Sequence, residues 1–195
     1  IASFLSKIVL GKHLKTAVIV NPKAGNGRTE EIWQNVESAL KQSIGLFKSI
    51  QTNCRGDAKH LTRQELESGA DRIVAVGGDG HLNEVINGFI ENDLPVNSNA
   101  ALSFLMTGTG CDFQRSLGIA ANWQSAVDNL KYAKVRQIDV GKVTFTKSDS
   151  GKQVRYFDNI ASFGLSGAVD RCIENSRPPA LLNGSLLFLW STIKT

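Results

Sequence analysis

Short apolar runs alternate with amphipathic stretches over the first two thirds of the chain. Ala17–Val20 is a β-branched run closed by Asn21 and Pro22, and it reads as a buried strand. After the loop KAGNGR, Ile32, Trp33, Val36 and Leu40 recur at helical spacing. This predicts a helix from Thr29 to about Gln42, with Thr29 as its cap. Leu46–Gln51 predicts a second strand. Asp57–Ser68 predicts a second helix, capped by Asp57 and stopped at Gly69. Ile73–Val76 predicts a third buried strand, and His81–Glu91 the helix after it, with Leu82, Val85, Ile86 and Phe89 on one face. Ala101–Met106 predicts a fourth strand, followed by TGTGCDF and a short helix, and Asn122–Tyr132 a further helix. Unbroken apolar strands alternating with helices specify an α/β domain with a parallel sheet covered on both faces.

The pattern changes near Val135. QIDVGKVTFT (Gln137–Thr146) and Val154–Phe163 are extended runs joined by the polar turn KSDSGK, which predicts a hairpin rather than another strand–helix unit. We therefore expect a nucleotide-binding-sized domain over 1–135 and the start of a second over 136–195. About 60 residues make a thin core by themselves. The closing stretch ALLNGSLLFLWSTIKT predicts an apolar helix that packs against further structure.

Composition narrows the class. The 195 residues are 42% apolar and 21% charged, as expected of a folded domain with a sizeable core. A net charge of +4 suits a phosphorylated ligand or an anionic membrane surface, and equally an ordinary solvated face. Cys54, Cys111 and Cys172 form no CxxC pair, which argues against a disulfide framework or a cysteine zinc site and for a reducing, cytoplasmic setting. No run of about 18 apolar residues predicts a membrane span. IASFLSKIVLGKHLK is too short and mixed for a secretory signal. The chain begins with Ile1, so we expect a longer native protein. His13, His60 and His81 lack metal-ligand spacing, GxSxG is absent, and no basic stripe with aromatic platforms points to a nucleic-acid partner.

Three glycine-bearing loops each follow a predicted strand: NPKAGNGR, GGDGHLNE and TGTGCDF. Ligands bind at strand carboxyl ends in such sheets. Glycines let the chain expose consecutive N–H groups, and such a nest, backed by a helix N-terminus, holds phosphate oxygens. The loops match neither GxGxxG nor the Walker A loop, so positive charge must come from elsewhere. Lys23 and Arg28 are the nearest candidates, together with Mg2+. Asp79 has three readings open to it: coordinating Mg2+, pairing with Arg28, or capping the helix. Asn83 and Glu84, one turn in, could reach a nucleotide, hold the loop, or lie on a solvated face.

NPKAGNGR, GGDGHLNEVINGF and GTGCDFQRSLGI, in that order, resemble the diacylglycerol kinase catalytic-domain family, which includes bacterial lipid kinases and sphingosine kinases; IDVGKV and FDNIASFGLSGAV extend the resemblance. The resemblance implies a phosphofructokinase-like three-layer domain followed by a β-sandwich that is incomplete here. It implies ATP and Mg2+ as cofactors and transfer of the γ-phosphate to a lipid hydroxyl, such as that of diacylglycerol, at a membrane surface. By matching motifs, Asn21, Pro22, Lys23, Ala24, Gly25 and Arg28 would line the nucleotide, and Thr52 would contact it. Gly78, Asp79, Gly80, His81, Leu82, Asn83 and Glu84 would cradle the phosphates together with Thr109, while Asp79 would support catalysis. Asp112 and Asp139 match acidic positions linked to the first loop's basic residues. The chain departs from the family at His81, where threonine is usual, at Cys111, where asparagine is usual, and at Ser166, where an acidic residue is common. The family's general base, an aspartate in a DGE-like motif, and its structural Mg2+ site are expected roughly a hundred residues past Thr195. Two other readings fit the residues: an NAD-kinase-like enzyme with a soluble acceptor, permitted by GGDG though GTGCDF and IDVG favour the lipid branch, and a non-catalytic nucleotide-binding module.

Overall fold

A computed structural model of the chain describes residues 14–119, 122–132, 134–147 and 151–161. In chain order the elements are β1 (Thr16–Val20), α1 (Arg28–Ile44), β2 (Lys48–Gln51), α2 (Asp57–Glu67), β3 (Arg72–Gly77), α3 (Asp79–Phe89), β4 (Ile90–Glu91), β5 (Leu94–Pro95), β6 (Ala101–Met106), α4 (Asp112–Ser116), α5 (Trp123–Leu130), β7 (Gly141–Lys147) and β8 (Gly151–Phe157).

Four strands form one wholly parallel sheet in the order β2-β1-β3-β6. Every residue of β1 is buried, because β1 is an inner strand covered on both faces. Its side chains alternate between two cores with the period of a strand. Ala17 and Ile19 join Leu66, Ile73, Leu82, Val85 and Ile86 beneath α2 and α3. Val18 and Val20 join Trp33, Val36, Leu40, Leu105 and Val127 beneath α1 and α5. The predicted three-layer α/β domain is therefore the observed one. At Gly88 the helices α2 and α3 touch: an added Cβ would lie 2.6 Å from the Lys59 carbonyl oxygen, so the glycine of NGF is a packing requirement.

Helix starts differ from expectation. Gly27 (φ 91°) precedes α1, Gly56 (φ 94°) precedes α2 and Gly78 precedes α3, none with a side-chain cap bond. Thr29 and Asp57 are thus inside their helices. The Asp57 carboxylate reaches back to the N–H groups of Asn53 (2.7 Å) and Cys54 (2.9 Å), which tightens the preceding turn. Those bonds hold its pKa below the ordinary carboxylate value. Asn122 does cap α5, accepting from Ser125 N–H at 2.6 Å. Helix α3 stops at Phe89, because Ile90–Glu91 pairs with Leu94–Pro95 around Asn92 (φ 50°) and Asp93 (φ 65°). Two successive left-handed residues make the tight turn that matches strand twist.

The predicted hairpin is present as β7 and β8, in antiparallel register from Gly141↔Phe157 to Lys147↔Gly151. Packing divides the chain into a compact unit ending at Asp158 and a second from Asn159 onward. The predicted C-terminal helix, Ser166 and Cys172 lie outside the described residues.

Candidate functional site

The chain leaves β1 for β2 on one side and returns through β3 to β6 on the other, so strand order reverses between β1 and β3. A crevice forms at the carboxyl ends of strands where order reverses. The loops after β1, β3 and β6 all end there and are bonded to one another. Asn21 N–H donates to the Val76 carbonyl at 2.9 Å, and Thr107 N–H to the Gly77 carbonyl at 2.8 Å. The Thr29 and Thr107 hydroxyls, both buried, lie 2.5 Å apart and join α1 to the third loop.

Glycine is demanded by how closely these loops meet. A Cβ on Gly25 would lie 2.6 Å from the Thr107 carbonyl oxygen, and one on Gly108 2.6 Å from Gly78 Cα. One on Gly110 would lie 2.8 Å from the Asp79 carboxylate. Gly25, Asn26 and Gly27 also carry consecutive positive φ values. Gly80 is different: a Cβ there would meet nothing within 4 Å, so the first turn of α3 opens onto free space. The N–H groups of that turn have no partner within the helix and carry the positive end of its dipole. Lys23 and Arg28 are exposed, and among the described residues neither is paired with a carboxylate.

Asp79 is held by the third loop. Its Oδ1 accepts from Phe113 N–H at 3.2 Å, so it caps α4 across space rather than its own helix. Pairing with Arg28, one of the three readings open to Asp79, does not occur among the described residues. Cys111 lies between these groups in the left-handed region (φ 54°), its Sγ–H donating to the Gly108 carbonyl at 3.2 Å. Burial first, and then the Asp79 charge, push its thiol pKa up, with Arg115 and Arg28 opposing. Asparagine tolerates this backbone region better than cysteine. Cys111→Asn should therefore raise the thermal unfolding midpoint, by a stability gain of roughly 0.5–1 kcal/mol.

The remaining expected residues divide by where their side chains go. Asn21 Oδ1 accepts from Lys23 N–H at 3.0 Å and shapes the first turn, Pro22 lies in that turn, and Ala24 is buried beneath it. Thr52 is buried, with its hydroxyl turned to the Val20 carbonyl at 3.3 Å. Thr109 is exposed at the tip of the third loop. Leu82 is core. Glu84 accepts from Gly56 N–H at 2.9 Å and so closes the start of α2. Asn83 points to β8, donating to the Tyr156 carbonyl at 3.0 Å. Asp112 pairs with Arg115 on its own helix, not with the first loop, and Asp139 is exposed before β7. Thr29, Thr107, Gly108 and Asn87 do as much to shape the site as any predicted residue; only the glycine in TGTG gave a sign of it.

The His81 ring lies inward. It is 6% exposed, its Nε2 is 2.9 Å from the Ile19 carbonyl, and it packs where a side chain on Gly77 would be. What His81 offers a ligand is main chain. Nε2 must carry the proton to donate to that carbonyl. Burial holds the imidazole pKa below its ordinary value, against the Ile19 bond and the Glu84 charge. Folding thus excludes a proton that the unfolded chain accepts, so stability is full above the unfolded imidazole pKa and falls below it. Unfolding titrations should show a loss approaching 1.4 kcal/mol per pH unit below about pH 6.5. A His81→Gln variant should lack that part of the slope.

A cavity of about 320 Å³ lies elsewhere, lined by Lys59, Arg63, Asp93, Lys142 and Tyr156 among others. Its cations are largely spoken for, since Lys142 binds Asp93 at 2.7 Å and Arg63 binds Glu91 at 2.5 Å.

A parallel sheet with glycine loops interlocked at its reversal point defines an α/β domain of the doubly wound type. The chain belongs to the diacylglycerol kinase catalytic-domain family, which matches residues 15–143. It is 31% identical over 151 residues to a diacylglycerol kinase of Bacillus subtilis, a match covering 77% of this chain and 46% of that protein. It is 30% identical over 150 residues to a diacylglycerol kinase of Staphylococcus saprophyticus, covering 77% and 45%. A crystal structure of a diacylglycerol kinase from Bacillus anthracis superposes with a TM-score of 0.56 at 28% identity, over 71% of this chain and 45% of that one. The chain spans somewhat under half the length of these relatives.

Proposed function

We propose that this chain carries the nucleotide-binding part of a lipid kinase that transfers the γ-phosphate of Mg-ATP to a lipid hydroxyl, diacylglycerol being the leading candidate. The observation that supports it most is the interlocked glycine rim beside two unpaired cations, Lys23 and Arg28. In this reading, the main-chain N–H groups of Gly25 and Asn26 and those from Gly78 to His81 grip the phosphates, while the N–H groups of Lys23, Ala24, Gly27 and Arg28 are bonded within the first loop and hold its shape; Thr109 stands at the tip, and Asn21, Ala24 and Thr52 shape the floor. Phosphoryl transfer depends on positioning and on neutralising charge as the bond to the leaving oxygen breaks, and donors and cations fixed in advance supply both. Among the described residues no three His, Cys, Asp or Glu side chains stand together as a metal site. The reading therefore has Mg2+ arrive on the nucleotide, where it neutralises phosphate charge. Residues 136–195 would begin the second, β-sandwich domain, and the acceptor would be presented from a membrane surface. Among the described residues no helix is long and apolar enough to cross a membrane.

Thin-layer separation of lipids after incubation of the full-length protein with labelled ATP tests the reading. A labelled phospholipid product is expected. Binding of Mg-ADP with no labelled lipid would instead favour a nucleotide-binding module.

A further inference from the structure

The three glycine loops meet at one residue. Thr107, the first residue after β6, is buried and reaches each of the other two loops. Its N–H donates to the Gly77 carbonyl of the second loop at 2.8 Å. Its own carbonyl oxygen lies against Gly25 of the first, 2.6 Å from where a Cβ would stand. Its hydroxyl lies 2.5 Å from that of Thr29, the residue after Arg28. Thr29 in turn closes the first loop, its N–H and its hydroxyl each donating to the Ala24 carbonyl at 3.2 Å. The number of protons sets the direction of the hydroxyl pair. Each hydroxyl has one proton to give. Thr29 gives its own to Ala24, so both bonds stand together only when Thr107 donates to Thr29. The first loop is thus tied to the rest of the rim at both ends, by Asn21 N–H to the Val76 carbonyl and by this pair.

We propose that Thr107 is a positioning residue for phosphoryl transfer, its hydroxyl holding the first loop, through Thr29, in register with the second and third so that the Arg28 side chain and the open first turn of α3 act on the same phosphates. The inference rests on the kinase reading above. Both threonines are buried, so the pair acts through the backbone it fixes and not by touching the nucleotide. Thr29 stands in the first turn of α1 beside Arg28, and a shift of one carries the other with it. A misplacement of about 1 Å at a reacting centre can cost about 100-fold in rate.

The test is a double-mutant cycle in the full-length protein, with Thr29→Val, Thr107→Val and both together. It is read by Mg-ADP calorimetry well below the unfolding midpoint and by kinetics in mixed micelles with dioleoylglycerol and sphingosine as acceptors. Each single variant should bind Mg-ADP about tenfold more weakly, with the ATP KM rising in step. The double variant should be no worse than the poorer single one, because either change breaks the same tie. Thr107→Ser, which keeps the hydroxyl, should restore wild-type affinity, and the acceptor KM should stay within about twofold throughout. Thr29→Val should unfold at a lower temperature than Thr107→Val, since it leaves the Thr107 hydroxyl buried without its acceptor. Should Thr29→Val fail to fold, Thr107→Val and Thr107→Ser decide the matter between them. Wild-type Mg-ADP affinity in folded Thr107→Val overturns this inference alone, whatever its unfolding midpoint, as do additive losses in the cycle. A wild-type protein that phosphorylates neither lipid overturns the kinase reading, and the inference with it.

Discussion

Gly108→Ala is expected to weaken Mg-ADP binding by about 100-fold or more while both core faces stay packed. The added Cβ would lie 2.6 Å from Gly78 Cα and 3.4 Å from Gly78 N. Both neighbours are backbone, so no side chain can swing away. The third loop must lift from the second, and the Thr107 N–H bond to Gly77 lengthens with it. Overpacking of this kind costs about 1–3 kcal/mol of stability. The larger effect is on the ligand, because phosphate held by several N–H groups at once loses all of them when their spacing changes. Gly80→Ala is the matching control. Its Cβ meets no protein atom, and alanine suits a helix better than glycine, so stability should hold or rise. Calorimetry with Mg-ADP and thermal unfolding on both variants separate the outcomes. Unaltered nucleotide affinity in Gly108→Ala would mean that the joined loops are scaffolding and the phosphates bind elsewhere.

The inner strands β1 and β3 were readable from the chain because they are buried on both faces and so appear as unbroken apolar runs, whereas the edge strand β2 is largely exposed and carries Lys48, Ser49 and Gln51. Ala101–Met106 is predicted and observed with the same bounds, and β1 and β3 differ from prediction only by the addition of Thr16 at the start of β1 and of Arg72 and Gly77 at the ends of β3. Helix starts were harder, because a cap read from Ser, Thr or Asp side chains misses helices that begin from glycine. At Gly27, Gly56 and Gly78 the same residue that frees the backbone also starts the helix. The three loops were legible as glycine-rich, but not as touching. That Gly108 lies on Gly78 follows from β3 and β6 being neighbours in register, a tertiary fact no local spacing carries. Motif matching put His81 at the phosphates by its place in the loop. Position in a helix turn sets direction as well, and the direction is inward, into room left by Gly77. The apolar spacing of α3 carried the predicted helix through Ile90 and Glu91, which instead form β4 ahead of the turn at Asn92 and Asp93, both tolerant of positive φ.

Asp79→Asn should lower lipid phosphorylation by about 10²–10³-fold, the range seen when one preorganised electrostatic group is removed from a reacting centre. The variant is chosen over alanine because the carboxylate has a structural job besides the chemical one proposed for it. It accepts from Phe113 N–H and so anchors α4, a bond that the asparagine carbonyl can keep. Asp79→Ala would lose that cap as well, at about 1 kcal/mol, and would confuse chemistry with loop order. An unchanged unfolding midpoint in Asp79→Asn, beside a collapsed rate, assigns the loss to charge. Cys111 gives an independent readout. The Asp79 charge helps to hold its thiol pKa up, so removing that charge must shift the pH midpoint of thiol alkylation downward. A downward shift with full lipid phosphorylation retained would leave Asp79 near Cys111 and exclude its carboxylate from the chemistry. No shift would mean that Asp79 does not face the third loop, and the geometry that places it at the rim would have to be redrawn.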